Sequence, residues 1–270
     1  MTAAVYQCSA LDLPPTLGCG FSALIIDPPY SARVHARATS NNPGGRDTGV
    51  AARDLGFAHL TPALRHHLAR IAAHVPGWSV VFSDLESAWL WRHTMAAAGL
   101  EYVRAVPWVR WSQPQLSGDR PGSGAELVSV FHPRGRKAWG GPGSLTHFNA
   151  KALRGKQKYS CEKPLDLMLS LVSYFCPPGG VVLDCVCGAG TTGAAAGVLG
   201  RDALLCDVSA DAVARAQMYQ PDPTRVQRWA EYQRDWLTRE ALSGSVAGRA
   251  RRAWAEGDLE RVDRWLAATA

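Results

Sequence analysis

Short apolar runs alternate with segments of helical periodicity along most of this chain. The runs have the length of buried strands, and a segment with helical spacing of its apolar residues follows most of them. From Phe21 to about Gln220, this alternation predicts an α/β fold with a mostly parallel sheet and helices on both faces. The predicted parallel strands are Phe21–Ile26, Ser79–Phe82, Val181–Asp184 and Ala203–Asp207.

Capping residues and glycines locate the helices between these strands. Thr61-Pro62 begins a helix that runs to His74, because threonine caps helix starts and proline suits the first turn. Gly99 ends the helix that begins at Leu85. Three more helices are predicted over Pro164–Phe175, Thr191–Leu199 and Ser209–Tyr219.

One pair of strands breaks the parallel pattern. Tyr102–Trp111 and Glu126–His132 are both strand-like, and a stretch rich in glycine and proline connects them. We therefore expect an antiparallel hairpin at one side of the sheet.

Three segments lie outside the strand–helix alternation. Residues 31–57 are rich in glycine, arginine and asparagine, which predicts either a lid or a segment disordered without ligand. Residues 133–160 are polar and basic. Residues 221–270 are predicted to form two amphipathic helices that pack on the sheet or on a second subunit rather than on a nucleic acid. The chain is thus divided into a domain over 1–220 and a helical extension over 221–270.

The composition favours a polyanionic partner and an intracellular protein. The formal net charge is +6, the isoelectric point is about 9.1, and ten tryptophans offer stacking surfaces for bases. No apolar run reaches the ~20 residues of a membrane span. The seven cysteines are interpreted as reduced thiols, which predicts a cytoplasmic protein. His66, His67 and His74 lack partners at ligand spacing, so no metal site is expected.

The tetrad Asp27-Pro28-Pro29-Tyr30 directly follows the first strand. Ligands of open α/β sheets bind at the carboxyl ends of strands. The tetrad offers an acidic acceptor, an exposed carbonyl and a stacking face there, which suits a flat base with an exocyclic amino group. A proline-rich turn without function is the alternative for the tetrad taken alone.

A glycine turn follows the strand Val181–Asp184. Gly188 and Gly190 allow a tight turn, and the helix that begins at Thr191 presents free amide hydrogens. Asp207 ends the next strand, where its carboxylate could accept hydrogen bonds from a ribose diol. The third glycine of the dinucleotide fingerprint is not at its spacing. A tight turn without ligand remains the alternative.

Together these motifs resemble the amino-methylating DNA methyltransferases, in particular their β-type permutation with the catalytic half first. The tetrad precedes Asp184-x-x-x-Gly188-x-Gly190-Thr191-Thr192 in the family's order. Between them, Trp108-Val109-Arg110 resembles the family's Trp-x-Lys strand, the strand led by Glu126 resembles the next one, and Glu162-Lys163-Pro164 resembles the entry to the cofactor helix. The resemblance spans about Phe21 to Gln220 and implies a Rossmann-like fold of the seven-stranded type in permuted order.

The resemblance also implies the activity and its residues. S-adenosyl-L-methionine would be the cofactor and double-stranded DNA the partner of a monomer or homodimer. Asp27, Pro28, Pro29 and Tyr30 would be catalytic, with the flipped base stacked on Tyr30 and its amine held by Asp27 and the Pro28 carbonyl. The expected cofactor-binding residues are Glu162, Lys163, Pro164, Asp184, Cys185, Gly188, Gly190, Thr191, Thr192 and Asp207.

Aspartate at the head of the tetrad favours N6 of adenine as the target, and N4 of cytosine is the alternative. A methyltransferase for RNA or protein also stays open. Cys185-Val186 stands where the family has Pro-Phe, so a catalytically silent DNA-binding protein is a further alternative. The strand that should follow Ser209–Tyr219 is not evident, because Gln220-Pro221-Asp222-Pro223 interrupts the chain.

The basic segment 133–160 is the expected target-recognition insertion, where cations would neutralise phosphates. A solvated basic loop is the alternative. The residues expected to contact DNA are Arg134, Arg136, Lys137, Trp139, Lys151, Arg154, Lys156 and Lys158.

Overall fold

Seven strands form one sheet in a computed structural model that describes residues 3–32, 34, 58–110, 124–150, 162–239 and 246–269. The strands are β1 (Ala4–Gln7), β2 (Ala23–Ile26), β3 (Trp78–Ser83), β4 (Glu101–Val109), β5 (Ala125–His132), β6 (Val181–Asp184) and β7 (Asp202–Asp207). Their order is β1-β7-β6-β2-β3-β5-β4. Among the described strands, β5 alone runs opposite to the other six. The predicted α/β fold with its antiparallel hairpin is therefore confirmed.

Helices cover both faces of the sheet. They are α1 (Pro62–His74), α2 (Ala88–Ala97), α3 (Leu165–Phe175), α4 (Thr191–Val198), α5 (Ala210–Gln217), α6 (Pro223–Arg239) and α7 (Val246–Thr269). One apolar core lies under α3, α4, α6 and α7, and the second lies under α1 and α2. The fully buried β2 is central and belongs to both cores, because successive side chains of a strand point to opposite faces.

The edge strand β1 fills the position for which no strand was evident after α5. Ala4 pairs with Leu204 and Gln7 with Asp207, so β1 extends the sheet beyond β7 in parallel. The permuted chain therefore supplies this strand from its N-terminal end. Three of its four residues are exposed, which removes the apolar signal by which the other parallel strands were predicted.

The extension after residue 220 packs closely on the rest of the chain. Trp229 of α6 is buried and donates from Nε1 to Ser170 Oγ of α3 at 3.1 Å, and Gln233 Nε2 donates to the Tyr174 hydroxyl at 2.7 Å. From α7, Asp258 reaches Arg201, which directly precedes β7. The described part of the extension thus belongs to the sheet's helical layer, while a domain boundary at residue 221 stays a prediction.

The segment before residue 150 continues the sheet past β4. Phe148 bridges Trp108, with Val109 N donating to Phe148 O at 3.0 Å and Phe148 N donating to Pro107 O at 2.8 Å. Pro107 is tolerated because a proline without an N–H can stand on an edge strand. Across the described ranges, no helix is long and apolar enough to cross a membrane, and the six cysteines found there form no disulfide.

Candidate active site

The candidate site lies at the point in the sheet where the strand order reverses. β2 and β6 are neighbours, and the chain winds outward from β2 to β3 on one side and from β6 to β7 on the other. A crevice forms at the carboxyl edge above such a switch point. Asp27 directly follows β2 and Asp184 ends β6, so the two predicted halves of the site meet in this crevice.

The Asp27 carboxylate has one satisfied and one unsatisfied oxygen. Its Oδ2 accepts a hydrogen bond from the Lys163 ammonium, whereas its Oδ1 is shielded from solvent and has no hydrogen-bond partner among the described residues. Burial raises the pKa of Asp27 and the nearby Glu126 charge adds to the effect, while Lys163 opposes both. The carboxylate is thus an acceptor that the protein leaves partly unmatched.

The two prolines explain this unmatched oxygen. Asp184, Asp207 and Asp222 each accept a hydrogen bond from the backbone N–H two residues on, at 3.2, 2.9 and 2.9 Å. This local bond is usual for aspartate in turns. The residue two positions after Asp27 is Pro29, which has no N–H to donate. This local bond is therefore not available to Asp27.

Tyr30 is held by a buried carboxylate on β5. Its hydroxyl donates to Glu126 Oε2 at 2.5 Å. Glu126 also pairs with Arg110 at 2.8 Å through Oε1 and with Lys163 at 3.3 Å through Oε2. Burial and the two carboxylates raise the pKa of Tyr30 well above its ordinary value, so the phenol stays neutral and donates.

Lys163 directly precedes Pro164 at the start of α3 and joins the two carboxylates. Its ammonium lies 5.0, 5.6 and 6.0 Å from the ring centres of Phe82, Tyr30 and Trp108. Aromatic faces attract a cation at such distances. A positive group next to Asp27 is therefore stabilised by two carboxylates and by a wall of aromatic rings.

Asp184 holds the start of the glycine turn. Its Oδ2 accepts from Thr192 Oγ1 at 2.6 Å and its Oδ1 accepts from Val186 N. Burial raises the pKa of Asp184 to about 7, although both hydrogen bonds oppose that effect. The side chains of Cys185 and Val186 contact the second apolar core. Asp184 thus stabilises the turn through hydrogen bonds, and Cys185 anchors it in the apolar core.

Asp207 holds the other side of the turn. Gly188 has a φ of 51° and donates from its N–H to Asp207 Oδ2 at 2.9 Å, while Asp207 Oδ1 accepts from Ser209 N. Asp207 remains partly exposed, and each of its oxygens can accept a second hydrogen bond. A cofactor with a ribose diol fits this donor and acceptor set.

Residues 162–164 connect the turn with the tetrad. The Tyr219 hydroxyl at the end of α5 donates to Glu162 Oε1 at 3.2 Å, and the same hydroxyl interacts with Thr191. The next residue, Lys163, turns towards Asp27. The structure thus connects Glu162 and Thr191 with Asp27 through Lys163, whereas the Cys185 side chain packs in the second apolar core.

We expect Gly190→Ala to lower the free energy of unfolding by about 2–4 kcal/mol, since a left-handed alanine and an overpacked contact each cost one to a few kcal/mol. Gly190 precedes α4 with a φ of 81°, and an added Cβ would lie 2.5 Å from the Ala216 Cβ. Urea unfolding measures the change. Gly197→Ala is the control, because its added Cβ would meet no atom within 4 Å. Equal stability of the two variants would refute the prediction.

The predicted DNA-contacting residues divide into two groups. Arg134, Arg136, Lys137 and Trp139 follow the far end of β5, about 20 Å from Glu126 along the strand. There Lys137 pairs with Glu101 at 2.8 Å, and Trp139 packs on the rings of Trp78, Tyr174 and Phe175. The structure therefore does not bring these four to the crevice. Lys151, Arg154, Lys156 and Lys158 lie outside the described residues, as does most of the predicted lid.

Sequence reasoning quoted Arg110 and Glu126 for the family resemblance but gave them no role in the site. Their positions in the sequence could have indicated a contact. Arg110 follows the end of the first hairpin strand and Glu126 stands at the start of the second, and a hairpin brings these two ends together. Trp108 and Glu126 are paired across β4 and β5, at the same edge of the sheet as Asp27. A charged residue that begins an apolar strand is buried on pairing, which requires charged partners.

The comparison with family models agrees with this geometry. Residues 88–218, just under half of the chain, match the model of the N6/N4 family described as DNA methylase. The resemblance to DNA methylases is confirmed. The matched segment includes Glu126, Lys163 and the glycine turn, whereas Asp27 lies before it. A search of curated proteins finds no match.

Solved structures of DNA methylases share the fold. The M1.HpyAVI–SAM complex has a TM-score of 0.60 at 19% identity and covers 80% of this chain and 98% of that one. PvuII DNA methyltransferase, named as cytosine-N4-specific, has a TM-score of 0.54 at 12% identity, with 96% and 93% covered. The Thermus thermophilus protein TTHA0409, complexed with S-adenosyl-L-methionine, has a TM-score of 0.52 at 16% identity, with 85% and 93% covered.

Proposed function

We propose that this protein transfers a methyl group from S-adenosyl-L-methionine to the exocyclic amine of a flipped base in double-stranded DNA. The observation that carries the proposal is the partly exposed Asp27 carboxylate, which accepts from the Lys163 ammonium at the edge of the sheet where the glycine turn also begins. An amine with two hydrogens complements such an acceptor. The DNA methylase family match supports DNA as the substrate.

The residues of the turn would hold the cofactor. Asp207 would accept from the ribose, and the partly exposed start of the turn with the amides of the first turn of α4 would line the rest of its site. The Tyr219 hydroxyl contacts both Glu162 and Thr191, and these contacts would border the cofactor site on the side of α5. When bound, S-adenosyl-L-methionine would supply a methyl group on a positively charged sulfur, and the tetrad would hold the amine that receives it.

The tetrad would prepare the amine. The amine nitrogen shares its lone pair with the base ring and is a poor nucleophile. Asp27 and the Pro28 carbonyl would each accept one amino hydrogen, which frees the lone pair for the methyl group. Tyr30 would stack on the base, because its target atom is inaccessible inside the duplex. Positioning and electrostatics would thus account for catalysis.

We propose N6 of adenine as the acceptor, since the tetrad begins with aspartate. The alternative is N4 of cytosine, which the PvuII enzyme's name specifies for that protein. Asp27 accepts from either amine, so the choice depends on contacts to the ring of the base. Residues 31–57 are the proposed lid, and residues 133–160 are the proposed target-recognition segment. We propose that the protein acts as a monomer or a homodimer.

The experiment is methylation of unmodified genomic DNA with methyl-labelled S-adenosyl-L-methionine, followed by digestion and mass spectrometry of the nucleosides. N6-methyladenine is the expected product, and N4-methylcytosine would establish the alternative. RNA in the same assay is the control for substrate class. DNA binding without cofactor binding or product would contradict the proposal and favour a catalytically silent DNA-binding protein.

A further inference from the structure

Glu126 is a buried carboxylate in the site for which the proposed chemistry has no role. Its side chain is 8% exposed, and it directly follows the first residue of β5. Tyr30, Arg110 and Lys163 all contact its two oxygens. Three donors on one carboxylate hold it in a single orientation, since each oxygen has at least one bond.

The charges around Glu126 keep it ionised. Burial pushes the pKa of Glu126 upward, but Lys163 and Arg110 together outweigh burial and lower it. The pKa of Asp27 is raised instead, although both carboxylates share the Lys163 ammonium. Glu126 thus stays ionised. Asp27 is the carboxylate whose ionised form gains more from an additional hydrogen-bond donor.

The ammonium of Lys163 stands where an amine donor to Asp27 has to bind. It donates to Asp27 Oδ2 and lies 3.3 Å from Glu126 Oε2. The other oxygen of Asp27 is shielded from solvent, while the side chain as a whole is 26% exposed. A substrate amine that takes the accessible oxygen therefore replaces Lys163 there.

We infer that Glu126 is a positioning residue for methyl transfer, which orients the Tyr30 ring and retains the Lys163 ammonium when the substrate amine replaces it at Asp27. This inference rests on the proposed function. Removal of one counterion from a buried cation is strongly destabilising, so without Glu126 the ammonium would stay on Asp27. With Glu126, Lys163 shifts between two oxygens that it already contacts.

The test is Glu126→Gln in the purified full-length protein. Glutamine has the same size and still accepts from Tyr30, but it lacks the charge that attracts Lys163. We expect kcat for DNA methylation to fall about 10- to 100-fold, the range for one hydrogen bond to a charged group. Affinity for S-adenosyl-L-methionine, measured by calorimetry, is expected to remain at the wild-type value.

The pH profile separates positioning from a structural role. The Glu126 charge contributes to the raised pKa of Asp27. Its removal lowers that pKa, so the acidic limb of kcat should move to lower pH in Glu126→Gln. A loss of packing alone would lower the amplitude and leave the limb in place.

A second substitution tests the displacement of Lys163. In the Glu126→Gln background, Lys163→Met removes the ammonium that stays on Asp27, and we expect part of the lost kcat to return at alkaline pH. A further decrease in the double variant would overturn the inference. Should Glu126→Gln not fold, Tyr30→Phe removes the same contact from the other side, and an unchanged kcat/KM for that variant would also overturn it.

The wild-type protein distinguishes the two proposals. If it transfers no methyl group to DNA, the proposed function fails. If it is active and Glu126→Gln matches it in kcat and in the acidic limb, only the role of Glu126 fails.

Discussion

Asp27→Ala is expected to lower methyl transfer to DNA by roughly 10²–10³-fold or more, the usual effect of removing one preorganised polar group at a reacting centre. The substitution removes the only acidic acceptor of the tetrad, so the amine of the base would keep its lone pair in the ring. The Pro28 carbonyl alone would hold one of the two amino hydrogens.

Cofactor binding should survive this substitution. The turn is held by Asp184 and Asp207 through contacts that do not include Asp27. Calorimetry should therefore give the wild-type affinity for S-adenosyl-L-methionine, while transfer of a labelled methyl group is lost. Asp211→Ala is the control, because its carboxylate is 61% exposed and pairs only locally with Arg215. Undiminished transfer by Asp27→Ala would contradict the proposed mechanism.

The pH dependence of the wild-type enzyme belongs to the same prediction. Asp27 accepts hydrogen bonds in its ionised form, and burial raises its pKa above the ordinary value of 3.8. Activity should consequently rise with pH through this raised pKa, so the acidic limb lies above that of an exposed aspartate. An acidic limb near pH 4 would mean that Asp27 is better solvated than the structure indicates.

The fold was predictable where burial leaves a signal. Buried strands such as β2 and β6 are continuous apolar runs, and the residues after them mark the carboxyl edge. The exposed strand β1 has no such run, since it pairs on one side only and lies at the edge of the sheet. The position of β1 depends on the side of β7 that β6 leaves unpaired, and no local sequence pattern shows this.

The sequence motifs name the residues of the candidate site, but they do not show the contacts between them. Tyr30 and Glu126 are 96 residues apart and Asp27 and Lys163 are 136 apart, so their contacts depend on strand order and register. The motifs indicated that the two halves belong together. They did not indicate that Lys163, predicted as a cofactor-binding residue, binds the Asp27 carboxylate.

The direction of β5 places the start of the predicted target-recognition segment away from the tetrad. β5 begins beside the tetrad with Glu126 and runs away from it, because it is antiparallel to β3. Residues that follow His132 therefore start at the opposite edge. Within the described residues, the chain returns to the edge that carries the tetrad near Phe148 and Ala150, beside Trp108. DNA contact by Arg134, Arg136, Lys137 and Trp139 stays a prediction.

Asp258→Ala is expected to lower the free energy of unfolding by about 3–5 kcal/mol, the usual cost of leaving one partner of a buried ion pair uncompensated. The side chains of Asp258 and Arg201 are both fully buried, and Arg201 donates from Nη1 and Nη2 to the two carboxylate oxygens at 2.6 and 3.0 Å. Ser173 Oγ of α3 donates to the same carboxylate at 2.8 Å. One side chain of α7 thus connects α3 with the start of β7.

Urea unfolding at neutral pH measures this loss, with Asp263→Ala as the matched control. Asp263 lies on the same helix and pairs with Arg234, but its side chain is 53% exposed, and exposed pairs contribute about 0–1 kcal/mol. The double variant Arg201→Leu/Asp258→Leu should recover stability, because it removes both buried charges together. Equal effects of Asp258→Ala and Asp263→Ala would mean that α7 contributes little to the fold. The expected large difference would mean that the helical extension is needed to bury Arg201 and so to hold β7, whose end carries Asp207 of the glycine turn.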